Sequence, residues 1–286
     1  MKSLIEKIRR YRKIFIFSIA GGFGAFLGSY LGGFFSSEGT ILQTLFNGFV
    51  GSSGGVAIWD TFLGLGIGIF LLTSQNVYLR RFTLGKNELK KNCLICLAAG
   101  ISGGCSLVSI KYLMGNSTLI HCLAWAAEGA AMGFFLAFLI PNLRKMPATV
   151  AGFVAGFLGG LIPAIGFFST KGLFTVAFAD SIKGFLLGFL LVTTEIIFQE
   201  ASLIIHWGPR EQSTVSLGTK PILIGNSKEC HLCLNKESVS LPVAAAITFV
   251  QGVIEIEDKA TGQKLALKNG SKIFFGKIEV EVSAKK

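Results

Sequence analysis

Six apolar stretches, at about 14–35, 53–74, 92–110, 118–140, 148–169 and 172–194, constrain this chain more than any other feature. A run of roughly 17–25 apolar residues can cross a bilayer as a helix. The third is the shortest of the six. The chain of 286 residues is 51% hydrophobic and 15% charged, with a mean hydropathy of +0.62, which lies outside the range of soluble globular proteins. Nearly all Phe and Gly fall within residues 14–198, whereas residues 209–286 alternate polar with β-branched residues. The expected fold is an α-helical membrane bundle of three related hairpins followed by an all-β domain. Its divisions are a basic N-terminus at 1–13, a transmembrane domain at 14–198, an amphipathic linker at 199–212 and a β-sandwich at 213–283.

The net charge of +11 does not point to nucleic acid, because the basic residues flank the apolar segments and form no stripe with interleaved aromatics. "MKSLIEKIRRYRK" precedes the first span, Arg80, Arg81, Lys86, Lys90 and Lys91 lie between spans two and three, and Arg144 and Lys145 lie between four and five. The alternate connections carry only Lys111 and Lys171. By the positive-inside rule both termini are expected in the cytoplasm of a cell (inner) membrane protein. The first run is too long for a signal-peptide core, and "AFLGSYLGG" offers no A-x-A cleavage site. Residues 41–50, "ILQTLFNGFV", are too short to span and read as an interfacial or re-entrant helix.

Spans two and six share one frame. Ala57, Asp60, Gly64, Gly68 and Thr73 match Ala177, Asp180, Gly184, Gly188 and Thr193. "AGGFGAFLG" at 20–28 likewise matches "AGFVAGFLG" at 151–159. The middle hairpin fits more loosely through Ala99, Gly100, Gly104, Gly129 and Gly133, with Trp125 at the aspartate's place and Glu128 displaced by three. Repeats of this kind indicate duplicated structural units. Glycines four apart share a helix face and let backbones approach closely in lipid.

Asp60 lies on that same face, away from lipid. An acid within a span costs roughly 2.5–3.5 kcal/mol on insertion scales, so such residues face a bundle interior or a wet cavity. Asp60, Glu128, Asp180 and Lys183 are therefore the intramembrane polar candidates. Two readings stand side by side: a structural role near the outer ends of the spans, with Lys183 pairing Asp180 at i,i+3, or an ion, proton or solute path. Glu128 has His121 two turns earlier on its face, and Glu195 reads as an interfacial residue.

After the last span, "TEIIFQEASLIIHWGPREQ" reads as an amphipathic continuation ending at Gly208 and Pro209, with Trp207 as an interfacial anchor. Short strand-like runs follow: "TVSL", "PILIG", "HLCL", "VAAAITFV", "VIEIED", "KLALK", "KIFFG" and "IEVEV". Their order resembles the forkhead-associated (FHA) domain over roughly residues 213–283. "ILIGNSKECHLCL" stands for that family's I-G-R-x-x-x-(C/D)-(D/x)-I-x-L and "ESVSLPVAAAI" for its V-S-x-x-H-A-x-I. "VIEIEDKATGQ" stands for its strand ending in D-x-x-S-T-N-G, and "LKNGSKIFFGKIEVEV" for its L-x-x-G-D-x-I-x-I-G ending.

The resemblance implies a β-sandwich whose usual ligand is a phosphothreonine peptide, held by an Arg, a Ser, a His and an Asn. Here Asn226 stands at the Arg, Ser240 is retained, Val243 stands at the His and Thr261 precedes Gly262. Asn226, Ser227, Ser240 and Thr261 are the peptide-binding candidates. With one of four matched, the resemblance implies a protein-contact platform with weak or no phosphothreonine binding. Degenerate modules of this type occur in inner-membrane proteins of bacterial secretion machines, an analogy of fold alone.

Cys230, His231 and Cys233 form "CHLC", yet neighbours on a strand point to opposite faces and no second C-x-x-C follows. No metal site and no cofactor are expected. Cys93, Cys96, Cys105 and Cys122 lie in or beside spans, where a thiol packs as a small hydrophobe. The chain has no P-loop, G-x-S-x-G or H-E-x-x-H, so no catalytic residue is expected. The expected partners are membrane lipid and a cytoplasmic protein, and a homo-oligomer is left open. The expected function is complex assembly, with a channel or transporter regulated by the β domain as the alternative.

Overall fold

The computed structural model describes all residues except 1, 38–39, 42, 45–46, 48–53, 82–84, 116, 165–171, 209–210, 236–238 and 286; for 2–10 it describes the backbone alone. The expected helix at 41–50 falls largely outside the described residues.

The chain divides into two units. The first comprises 1–74, 90–139 and 144–196, and the second 75–89, 140–143 and 197–286. Among the described residues six long helices follow in order: α1 Lys2–Phe35, α2 Gly54–Tyr78, α3 Lys86–Met114, α4 Thr118–Leu136, α5 Lys145–Ala164 and α6 Leu173–Phe198. All six are long and apolar enough to cross a membrane, which fits a multi-pass membrane protein. The third is longer than its apolar run, because "KNELKK" extends the helix toward its N-terminus with Glu88 in the first turn.

In the first unit, glycines mark where each helix meets the next. Gly64 of α2 packs on Gly100 of α3, Gly129 of α4 on Gly152 of α5, and Gly184 of α6 on Gly21 of α1. One turn on, Gly68 meets Cys96, Gly133 meets Ala148 and Gly188 meets Phe17. The same two contacts thus recur at three interfaces. At Gly129 and Gly152 any added Cβ would drive into the facing backbone carbonyl, so only glycine permits this approach. Within the first hairpin, Gly24 and Gly28 of α1 meet Gly66 and Phe62 of α2. Large apolar side chains are left on the outside, among them Phe23, Leu94, Val150, Phe153, Phe174 and Phe178. So much exposed apolar surface suits lipid better than water.

Among the described residues the second unit holds nine strands: β1 Ala201–His206, β2 Gln212–Leu217, β3 Ile222–Gly225, β4 Leu232–Cys233, β5 Ala245–Val250, β6 Val253–Asp258, β7 Lys264–Leu267, β8 Lys272–Phe275 and β9 Ile278–Ala284. They form two sheets, ordered β2-β1-β9-β8 and β4-β3-β5-β6-β7. Among the described pairs only β3 with β4 is parallel. Buried Leu203, Ile205, Val215, Ile222, Ile224, Leu232, Ile247, Val280 and Val282 supply the core.

Residues 201–206, expected as part of an amphipathic continuation, are instead the strand β1. It pairs with β2 on one side, Leu203 opposite Val215, and with β9 on the other, Leu203 opposite Val282. Two neighbouring strands satisfy its backbone, and its alternate residues Leu203 and Ile205 are buried. Trp207, expected at a membrane interface, donates from Nε1 to Ser213 Oγ at 2.9 Å in the β1–β2 turn.

The turn after α2 belongs to this unit as well. Arg80 takes a left-handed conformation, φ 55°, with Arg80 N donating to Val77 O and Arg81 N to Asn76 O. This is a Schellman ending, a place where glycine is usual. Arg80 recovers part of the cost by pairing with Glu211 and lying over the Trp207 ring at 5.8 Å.

Candidate functional site

Two groups of candidate residues emerge, one in each unit. In the first unit Asp60, Glu128, Asp180 and Lys183 all lie inside, between 0% and 5% exposed. Helical phase explains this. Asp60 and Asp180 sit four residues before Gly64 and Gly184 on the same helix face, so the packing that buries those glycines buries the acids, whereas Glu128 and Lys183 pack against Gly103 and Gly159 of other helices.

Lys183 Nζ donates to Glu128 Oε1 at 2.7 Å and lies 3.6 Å from Asp180 Oδ1. It also stands 4.3 Å from the centre of the Trp125 ring. Asp180 Oδ2 accepts from Ser29 Oγ at 2.6 Å and from Trp59 Nε1 at 3.2 Å. The structure therefore brings the four intramembrane candidates together through three helices. Asp180 is thus held by protein donors from three helices. The Asp60 and Glu128 carboxyls pack against adjacent glycines of α3, Gly104 and Gly103, and interact with each other electrostatically. Among the described residues, Asp60 Oδ2 and Glu128 Oε2 have no hydrogen-bond donor. His121, on the Glu128 face, stacks near Trp125 with ring centres 5.5 Å apart.

Glu195, expected at the interface, is buried inside the protein. Both its carboxylate oxygens accept from Lys13 Nζ at 2.7 Å, and both side chains are buried. The pair ties α1 to α6, because a buried carboxylate requires a counter-charge.

In the second unit, Asn226 and Ser240 meet. Asn226 Nδ2 donates to Val239 O at 3.0 Å and to Ser240 O at 2.9 Å, while Asn226 N and Ser227 N donate to Leu241 O and Pro242 O. The Asn226 amide is thus spent on joining two loops of its own domain. Ser227 Oγ accepts from Glu229 N, and Thr261 Oγ1 accepts from Gln263 N in the β6–β7 turn. Arg81, absent from the sequence-level candidates, donates to Lys228 O at 2.5 Å and pairs through two nitrogens with Glu88. The loop after β3 is pinned on both sides.

The three "CHLC" side chains go to separate partners. Cys230 is buried with Sγ donating to Pro242 O at 3.2 Å, His231 Nδ1 accepts from Leu223 N at 3.1 Å, and Cys233 Sγ lies 3.8 Å from Asn226 O. Burial pushes the Cys230 thiol above its usual pKa. A different trio, His206, Glu279 and Glu281, brings ligand-type atoms within 4.8 Å of one another. Its members are already engaged. Lys272 sits 2.7 Å from Glu279 and holds that carboxyl below the usual range, and His206 faces Glu281 at 3.3 Å and Gln212.

No protein-family model, curated protein or solved structure matches this chain.

Proposed function

We propose that this is a multi-pass inner-membrane protein that presents a degenerate FHA-like domain on the cytoplasmic side for protein contact and complex assembly. The supporting observation is the Asn226 side chain, whose amide bonds Val239 O and Ser240 O. A phosphothreonine reader needs a free cation at that place, and a neutral amide committed to its own loops supplies neither charge nor a free donor. Lys228 in the same loop is exposed two residues beyond Asn226, while Arg81, which donates to Lys228 O, is 5% exposed and pairs with Glu88.

The domain offers surface of another kind. β7 ends one sheet and β8 the other, with Leu265 61% and Phe274 65% exposed. Free strand edges with exposed apolar residues suit a partner that adds a strand or covers the edge. The basic linkers at 80–91 and 144–145 support a cytoplasmic placement. Site-specific photo-crosslinkers at Leu265 and Phe274 of the full chain in its native membrane test the reading. One defined protein adduct, lost in Leu265→Glu, is expected. Absence of any adduct at both positions, with complex assembly unchanged in that variant, counts against it.

An ion-path reading has one observation in its favour, the two buried carboxylate oxygens of Asp60 and Glu128 without donors among the described residues.

A further inference from the structure

The first unit encloses three acids and one lysine, and the hydrogen bonds show which acid is provided for. Asp180 is fully served as a carboxylate by Ser29, Trp59 and Lys183. Lys183 gives its shortest contact to Glu128 Oε1. Glu128 Oε2 and Asp60 Oδ2 remain, buried and without a donor among the described residues, on carboxyls that pack against the adjacent glycines Gly103 and Gly104 of α3 and act on each other. Two ionised carboxylates at such range repel strongly in a low-dielectric interior, and neither can donate to the other. One proton converts the repulsion into a charge-assisted O–H···O bond, as in other carboxyl pairs that share a site.

We propose that Asp60 and Glu128 hold one proton between them, forming a proton-binding site inside the six-helix unit. With that proton in place the four groups carry one negative charge in excess, and Lys111 of α3 faces the acids from a half-buried position. His121, at the start of α4, faces Lys111 and Lys183 and is likewise half-buried. α1 reaches the cluster through Ser29, and α5 has no titratable side chain after Lys145. The space suits a proton better than a coordinated metal ion. A Cβ added to Gly103 would lie 3.2 Å from Glu128 Cγ, and one added to Gly104 would lie 3.3 Å from Asp60 Oδ2, so α3 passes directly over the pair. The Lys183 ammonium beside Glu128 also repels a second cation.

Infrared spectroscopy of the full chain in lipid vesicles tests the site. A protonated carboxyl has a carbonyl stretch above the amide and carboxylate bands. The wild-type chain should show that band at neutral pH, shifted in heavy water, and Asp60→Asn should lose it because Glu128 then ionises against Lys183. A wild-type spectrum without the band, or a band unchanged in the folded Asp60→Asn chain, overturns the proposal. Loss of the band on adding Na+ or Ca2+ at constant pH also overturns it, by assigning the pair to a metal cation. Should Asp60→Asn fail to fold, a hydrophobic carbodiimide on the unmutated chain decides: a protonated pair yields an adduct at Asp60 or Glu128, and an ionised pair yields none.

Discussion

Glu128 Oε1 lies 2.7 Å from Lys183 Nζ, two buried charges from helices 55 residues apart in sequence. Removing one partner strands the other. Lys183→Met leaves three acids without their cation and should cost about 3–5 kcal/mol, the usual penalty for a broken buried pair. Adding Glu128→Gln to that variant should recover part of the loss. Denaturation in detergent of the wild-type, single and double variants measures both, and a double variant less stable than Lys183→Met would refute the pairing.

At the α4–α5 interface the Gly129 and Gly152 backbones touch. Gly129→Val must push the helices apart and should destabilise by about 1–3 kcal/mol or more, as overpacking does. Equivalent changes at Gly64 and Gly184 should give losses of similar size, because the same contact recurs there. Thermal unfolding in detergent reads all three.

Asn142 sits in a left-handed conformation, φ 58°, that asparagine tolerates better than most residues. Its Nδ2 donates to Ser216 O at 3.0 Å and Lys220 O at 3.3 Å, and its Oδ1 accepts from Lys220 N at 3.2 Å. Tyr78 adds its carbonyl to Ser213 Oγ and its hydroxyl to Thr214 N. Asn142→Ala should cost about 1–3 kcal/mol through unpaired backbone groups. Faster hydrogen exchange at Lys220 N is the sign to look for. A fragment of residues 197–286 alone loses all these partners and should unfold at lower denaturant than the same strands in the full chain.

Cys230 gives a pH dependence. Its thiol donates to Pro242 O and burial raises its pKa, so the folded state holds this proton more tightly than the unfolded chain does. The associated stability is complete below the unfolded thiol pKa and is lost as pH rises through the folded value. The denaturation midpoint of the β domain should therefore fall on the alkaline side, and Cys230→Ala should flatten that fall. An unchanged slope in the variant would contradict the assignment.

The helices were legible because each apolar run is a statement about solvent, and the glycine frame at 57–73 and 177–193 marked the packing face. Strands β2 to β9 follow the alternation and turn signals closely. β1 was hidden because "ASLIIH" extends the apolar run of α6, and six residues cannot separate a period of 2 from one of 3.6. Lys183 was visible as an i,i+3 neighbour of Asp180, yet its shorter contact is to Glu128. Which helices face each other is a tertiary fact that spacing along one helix does not encode. The same holds for Ser29 and Trp59 on Asp180, for Lys13 on Glu195, and for Arg81 on the loop after β3.

The central claim is the proposal that the β domain makes protein contacts without reading phosphate. Its most direct test is the binding of phosphothreonine and matched unphosphorylated peptide libraries to the full chain in lipid nanodiscs. Equal, weak retention of the two libraries is the predicted result, since Asn226 is committed to Val239 O and Ser240 O. Retention that requires the phosphate, and that is lost in Ser240→Ala, would contradict it and make the chain a membrane-tethered phosphopeptide receptor.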